Sequence, residues 1–309
     1  MEWTELPTAD PGPGEALIAH VAVGVNFIDV YYRSGLYKWP DGPMIPGGEA
    51  SGIVEAVGAG VTEVKPGDRV AYVLPFGAYR EKRIVPAERL VVLPDGIEPI
   101  TIAGAMLKGL TAQYLVTSSY PVEPGDTVLV HAAAGGVGLL LGQWLAALGA
   151  HAIGTAGGPE KVALARKHGY EHVIDYKSQD FVAEVERLTG GNRCAAVYDS
   201  VGADTWRGSL KCLRPRGMFV SFGQSSGMIR DFTLSDLAAG GSLFACRPVL
   251  FDYIADRTEL LERSSDLFAR ILKGAVKIDV ATTRPLKQAA AAHADLEARR
   301  TVGSTILLV

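Results

Sequence analysis

The chain has 309 residues, more than one small domain needs, and at roughly 150 residues per domain it reads as two. Hydrophobic residues make up 48% and charged residues 21%, which excludes an extended disordered protein. Thirty basic side chains against 34 acidic ones, a net charge of -4, argue against a protein whose main task is coating nucleic-acid phosphates.

The N-terminal hundred residues alternate short apolar runs with turn signals. Glu15 to Val23 and Ser51 to Val57 read as strands, separated by turns such as Asp10-Pro11-Gly12-Pro13-Gly14 and Lys65-Pro66-Gly67-Asp68. This texture predicts a compact β-barrel-like domain. From Leu107 strands alternate with helices. Asp126 to His131 is a strand; a glycine turn and a helix ending near Gly149 follow, then a strand from His151 to Thr155. Pro159 opens a helix to Gly169, His172 to Ile174 is a strand, and Ser178 is expected to cap a helix to Thr189. Cys194 to Asp199, Met218 to Phe222 and Ser242 to Cys246 complete six strands. Apolar strands alternating with helices predict a parallel sheet covered on both faces. A long helix from about Asp256 to Lys273, a strand, an alanine-rich helix and a closing strand from Ser304 to Val309 are expected to return to the first domain. The domain expectation is therefore 1–107 with 248–309, and 108–247.

Cys194, Cys212 and Cys246 lie far apart, outside any C-x-x-C pair, and read as small buried hydrophobes rather than disulfide or zinc ligands. The opening Met-Glu-Trp-Thr-Glu has no basic segment followed by an apolar one, and no stretch reaches ~18 apolar residues, so a soluble cytoplasmic protein is expected.

The strongest chemical signal is Ala132-Ala133-Ala134-Gly135-Gly136-Val137-Gly138, between the first strand of the second region and its helix. Aligned on G-x-G-x-x-G/A it reads Ala133, Gly135, Gly138. Gly135 allows a pyrophosphate close to the backbone, Gly138 allows helix to pack on strand, and the helix N-terminus supplies N–H groups and a positive dipole end. The next strand ends in Gly154-Thr155-Ala156-Gly157-Gly158-Pro159-Glu160-Lys161, where an NAD site would usually place Asp or Glu. An open turn with Lys161 in reach suits a 2'-phosphate better; Glu160 has an adequate role as a helix N-terminal acid.

These residues resemble the quinone oxidoreductase branch of the zinc-independent medium-chain dehydrogenase/reductase superfamily, which includes zeta-crystallin. The resemblance covers nearly the whole chain. It is carried by Gly24-Val25-Asn26-Phe27-Ile28-Asp29-Val30-Tyr31-Tyr32-Arg33-Ser34-Gly35-Leu36-Tyr37, Lys108-Gly109-Leu110-Thr111-Ala112, His131 through Gly138, Tyr198-Asp199-Ser200-Val201-Gly202 and Phe222-Gly223. It implies a Rossmann doubly wound parallel sheet plus a GroES-like β-rich catalytic domain, a homodimer, and NADPH-dependent reduction of a quinone or of an enone double bond. It implies further that Asn26, Tyr31 and Tyr37 line the nicotinamide and substrate cleft, and that Thr111, Gly135, Gly136 and Val137 touch ribose and phosphates. Lys161, Tyr176 and Arg299 would grip the 2'-phosphate. Ser200, Phe222, Gly223, Phe244 and Cys246 are expected near strand C-terminal ends, where open α/β sheets bind ligands. Relatives usually begin with one more strand, so roughly fifteen residues are expected to be missing before Trp3. Zinc-dependent relatives place a cysteine near Asn26 and Gly-His-Glu where this chain has Gly47-Gly48-Glu49, so no catalytic metal is expected.

Tyr37 is the preferred candidate to orient an acceptor oxygen, with Asn26 as a second donor. Asp29 and Glu49 are assigned no chemistry, because lone acids beside turns are commonly caps or salt-bridge partners. His131 reads as a hydrogen-bonded core histidine. A different functional class, a crystallin-like or RNA-binding protein using the dinucleotide fold without turnover, remains as the competing reading.

Overall fold

The alternation of β1 (Glu15–Gly24) sends Ala16, Ile18 and His20 to one side of a strand, and a strand with one buried face needs neighbours that present the same face. The computed structural model describes residues 1–39, 42 and 44–309. In it β1 pairs antiparallel with β2 (Glu49–Val57), which continues to β3 (Arg69–Val73) and β5 (Val91–Val92), while β4 (Lys82–Pro86) pairs with β1 on its other side. Register shifts after Leu17 and after His20 bend β1 over a core of Ile18, Val54, Val70, Tyr72, Val85 and Leu90. His20 sits inside it, its ring nitrogens bonded to the Arg80 carbonyl at 2.7 Å and the Tyr72 hydroxyl at 2.9 Å. Burial pulls its pKa down to about 4.

The second region builds the parallel sheet: β6 (Thr127–Val130), β7 (His151–Ala156), β8 (His172–Asp175), β9 (Cys194–Asp199), β10 (Leu213–Ser221) and β11 (Phe244–Cys246), in the order β11-β10-β9-β6-β7-β8. This is the doubly wound order, with its switch point between β6 and β9. All six residues of β9 are buried. Leu129, Ile153, Val197 and Phe219 from the strands meet Val185, Trp206 and Leu210 from the helices in one cluster.

Beyond it, the helix Arg257–Leu272 is capped by the Asp256 side chain. Arg257 reaches back to the Glu88 and Leu90 carbonyls. Strands β12 (Val280–Pro285) and β13 (Ser304–Leu308) extend the first sheet, β13 pairing antiparallel with β1. The chain divides into two compact units. One comprises Met1–Leu110, Tyr253–Gly274 and Ile278–Val309, the other Thr111–Asp252 and Ala275–Lys277.

Three sequence expectations change. Asp180, not Ser178, caps the helix Phe181–Leu188, accepting from the Val182 and Ala183 N–H groups, while Ser178 donates to the Asp175 carbonyl within the preceding turn. The last strand of the parallel sheet starts at Phe244 rather than Ser242, because Ser242 takes a left-handed φ of 57° that ends extension. Cys194 and Cys212 are buried, but Cys246 is only partly so, since β11 has no further strand beside it. Among the described residues no helix is long and apolar enough to cross a membrane.

Candidate active site

In the second unit the chain leaves β6 at Val130 and enters the helix Gly136–Ala147 through the glycine turn. Gly135 is the N-cap and brings no side-chain acceptor, so the first-turn N–H groups of Gly136, Val137 and Gly138 face outward at a positive dipole end. The turn closes tightly: a Cβ on Gly138 would stand 2.3 Å from the Ala132 carbonyl oxygen and 2.7 Å from that of Ala133. Ala132 holds the left-handed conformation, φ 54°, that makes this closure possible. His131 beside it bonds Thr155 and Ser209, each at 3.0 Å, and Ser209 donates to Asp199 at 2.8 Å. Complete burial lowers its pKa, and with both ring nitrogens bonded it is a hydrogen-bonded core histidine, as expected.

At the end of β7, a Cβ on Gly157 would lie 2.5 Å from the Tyr176 hydroxyl, so the missing side chain is what allows that phenol to lie over the turn. Tyr176 is 45% exposed. Gly158, at φ 93°, and Lys177 both donate backbone N–H groups to Asp175 Oδ1, at 2.9 and 3.0 Å, and these bonds lower the Asp175 pKa. The acid of this region thus sits at the end of β8 and braces the turn, and β7 ends in Thr155 and Ala156. Lys161 lies in the first turn of the helix Pro159–Arg166. Lys177 Nζ stands 4.0 Å from the Gly158 Cβ position, a second cation at this turn that the sequence reading missed although it adjoins Tyr176. Arg299 belongs to the first unit, where it follows the helix Ala289–Glu297 with a left-handed φ of 57° and donates its N–H to Leu296.

Ser200 and Phe222-Gly223 follow the C-terminal ends of β9 and β10. The Phe222 and Gly223 N–H groups bond the Asp199 carbonyl at 2.9 and 3.3 Å, and a Cβ on Gly223 would come within 2.7 Å of the Ser200 oxygen. Cys246 ends β11, but Phe244 begins it and is 55% exposed, which corrects its expected place at a strand C-terminus. Thr111 is buried in the helix Met106–Tyr114.

The first unit gathers a second set. Asn26 caps the helix Phe27–Arg33 and forms a capping box with Asp29, whose Oδ2 accepts the Asn26 backbone N–H at 2.8 Å. Tyr31 is buried, and its ring lies 5.2 Å from that of Tyr37. The aromatic surface continues outward, with Tyr32 5.6 Å from Tyr37 and 5.5 Å from Trp39, and Trp39 4.8 Å from Phe76. Glu49, in the same unit, is fully buried and accepts three hydrogen bonds: from Lys108 Nζ at 2.8 Å, Asn26 Nδ2 at 2.9 Å and the Leu107 N–H at 2.7 Å. The Tyr79 hydroxyl lies 3.1 Å from Asp29 Oδ2 and 2.9 Å from His293 Nε2. Burial pushes Asp29 up to about 7, raises Tyr79 well above its ordinary value, and brings His293 down to about 4. Asp29 and Glu49 are therefore a cap and an ion-pair partner. Among the described residues no group of three or more His, Cys, Asp or Glu side chains is arranged to hold a metal ion.

The two halves can do complementary chemistry: a glycine turn and helix terminus suited to a diphosphate, and a cluster of tilted and edge-on rings with an amide donor suited to a planar acceptor. The alcohol dehydrogenase GroES-like domain model matches residues 12–95, and the zinc-binding dehydrogenase model matches residues 136–248. A quinone oxidoreductase of Pseudomonas aeruginosa is 49% identical over 310 residues, covering 100% of this chain and 95% of its own. A 2-haloacrylate reductase of Burkholderia is 44% identical, covering 99% and 94%. The crystal structure of Escherichia coli quinone oxidoreductase complexed with NADPH superimposes with a TM-score of 0.96 at 45% identity, covering 99% of this chain and 95% of that one. The chain belongs to the medium-chain dehydrogenase/reductase superfamily, in its quinone oxidoreductase branch.

Proposed function

We propose that this protein is an NADPH-dependent quinone oxidoreductase. The observation that carries the reading is the cluster of tilted and edge-on rings of Tyr31, Tyr32, Tyr37, Trp39 and Phe76, in the segment that Asn26 opens, in a chain 49% identical to a quinone oxidoreductase over its full length. The uncapped helix start after Gly135, the absence of an acid at the end of β7, and the cations Lys161 and Lys177 fit a dinucleotide with a 2'-phosphate. When bound, NADPH supplies a hydride; this chain's residues supply binding, orientation and exclusion of water. Gly135, Gly136, Val137 and Gly138 hold the pyrophosphate, with Thr111, Ser200, Phe222, Gly223, Phe244 and Cys246 completing the cofactor contacts. Lys161, Tyr176 and Arg299 hold the 2'-phosphate. Tyr31 flanks a planar acceptor, and Tyr37, with Asn26, donates to its oxygen. A reduced quinone spreads negative charge over its ring, so one or two oriented donors suffice and a strong general acid is dispensable.

Zinc independence is part of the proposal and is supported by Glu49, both of whose oxygens are engaged by Lys108, Asn26 and the Leu107 N–H. A homodimer joined through β11 is supported by that strand's free edge and the exposed Phe244. A cytoplasmic location is supported by three unpaired cysteines.

The 44% identical 2-haloacrylate reductase favours a second reading, reduction of an activated double bond. Comparing kcat/KM for a naphthoquinone and for a 2-haloacrylate with NADPH separates the two. The quinone is expected to be the better substrate, and a clear preference for the haloacrylate would replace the first reading by the second.

A further inference from the structure

Glu49 is buried without exposed surface at the start of β2, in space that β1 leaves open at Gly24. A Cβ on Gly24 would stand 2.2 Å from Glu49 Oε1 and 2.3 Å from the Ala103 carbonyl oxygen, so the absence of that side chain admits the carboxylate. A buried ion pair such as Glu49–Lys108 adds little net stability, because desolvation offsets its attraction and a well-packed apolar pair serves as well. Its geometry points elsewhere. Glu49 Oε1 accepts from Asn26 Nδ2 at 2.9 Å as well as from Lys108 at 2.8 Å. A carboxylate only accepts, so the nitrogen end of the Asn26 amide must face it. The Asp29 N–H bonds the Asn26 backbone carbonyl at 3.1 Å, so the helix start fixes the Asn26 backbone while the side-chain amide is oriented by Glu49. A flip would turn the amide oxygen onto the carboxylate, so the contact with Glu49 holds the amide, and the second Nδ2 hydrogen is the one left to reach a ligand.

We infer that Glu49 is a positioning residue that fixes the Asn26 amide as a donor to the acceptor oxygen, with Lys108 holding the Glu49 carboxylate in place. The inference rests on the reading that Asn26 is such a donor. Lys108 and Leu107 anchor the carboxylate from the helix Met106–Tyr114, so the amide's orientation depends on residues 59 and 58 positions away from Glu49 in sequence.

A double-mutant cycle on quinone-dependent NADPH oxidation tests this, using Glu49→Gln, Asn26→Ala and the two combined. With Asn26 present, Glu49→Gln is expected to lower kcat roughly ten- to a hundredfold while the NADPH KM stays within about twofold. In the Asn26→Ala background the same change is expected to alter kcat by less than about twofold. If Glu49→Gln fails to fold because Lys108 loses its partner, Glu49→Gln with Lys108→Met removes both charges together, and the cycle is run on that pair with the same expectation. Equal losses in both backgrounds, an unchanged kcat in Glu49→Gln, or a fully active Asn26→Ala protein would overturn the inference while leaving the oxidoreductase reading intact. A wild type that shows no quinone-dependent NADPH oxidation overturns the functional reading itself and the inference with it.

Discussion

Replacing Gly157 by alanine tests the assignment of Tyr176 to the 2'-phosphate without touching either charge at the turn. The new Cβ would stand 2.5 Å from the phenol oxygen, which must retreat by about 1 Å to reach ordinary contact. Tyr176 is 45% exposed and can swing outward, so the fold should lose no more than about 0.5 kcal/mol. The phosphate loses one charge-assisted hydrogen bond, about 1.5–3 kcal/mol, which corresponds to roughly ten- to a hundredfold weaker NADPH binding. NADH has no 2'-phosphate and should bind the variant as it binds the wild type. Fluorescence titration of both cofactors against both proteins reads the difference, and Lys161→Ala should give the same selective loss. Equal weakening of NADPH and NADH would refute the assignment, since the turn would then be acting on parts common to both cofactors.

Arg299→Gly should separate binding from stability: it relieves a left-handed arginine, worth up to about 1 kcal/mol, while weakening NADPH selectively. A lowered melting temperature with unchanged NADPH affinity would contradict this. Asp29, held at about 7 in the fold, supports the native state fully below its unfolded value near pH 3.9 and loses that contribution as pH rises toward 7, a difference of a few kcal/mol. Urea unfolding should therefore show Asp29→Asn gaining stability relative to wild type between pH 5 and pH 8; a constant difference would mean that Asp29 is charged in the fold throughout. His20 titrates in the opposite sense, below pH 6.5, and is common to both proteins. Phe244→Asp at the free edge of β11 should convert a dimer to monomers in light scattering, and wild-type monomers at micromolar concentration would refute the dimer.

What could be read from the sequence was what neighbouring residues decide. The six parallel strands follow from apolar runs bounded by turns, and the dinucleotide turn from glycines within seven residues of each other. Errors arose where two local signals competed. Ser178 and Asp180 are both good caps, and the charged side chain with two N–H partners took the role. Nothing in the Ser242 to Cys246 stretch announces the left-handed Ser242 that shortens β11. The polar interior was illegible for a different reason. Tyr79 and His293 are 214 positions apart and Asp29 and Tyr79 fifty, so only the folded chain shows that the three share a buried hydrogen-bond chain. Lys177 was within reach of the sequence argument, because the residue after Tyr176 follows the same turn, but its direction depends on the bracing of that turn by Asp175.

The most direct test of the account is the steady-state oxidation of NADPH and of NADH by the purified protein, each with and without a naphthoquinone. The account predicts oxidation that requires the quinone and proceeds with a clearly higher kcat/KM for NADPH. Binding of NADPH without quinone-dependent turnover, or a preference for NADH, would contradict it.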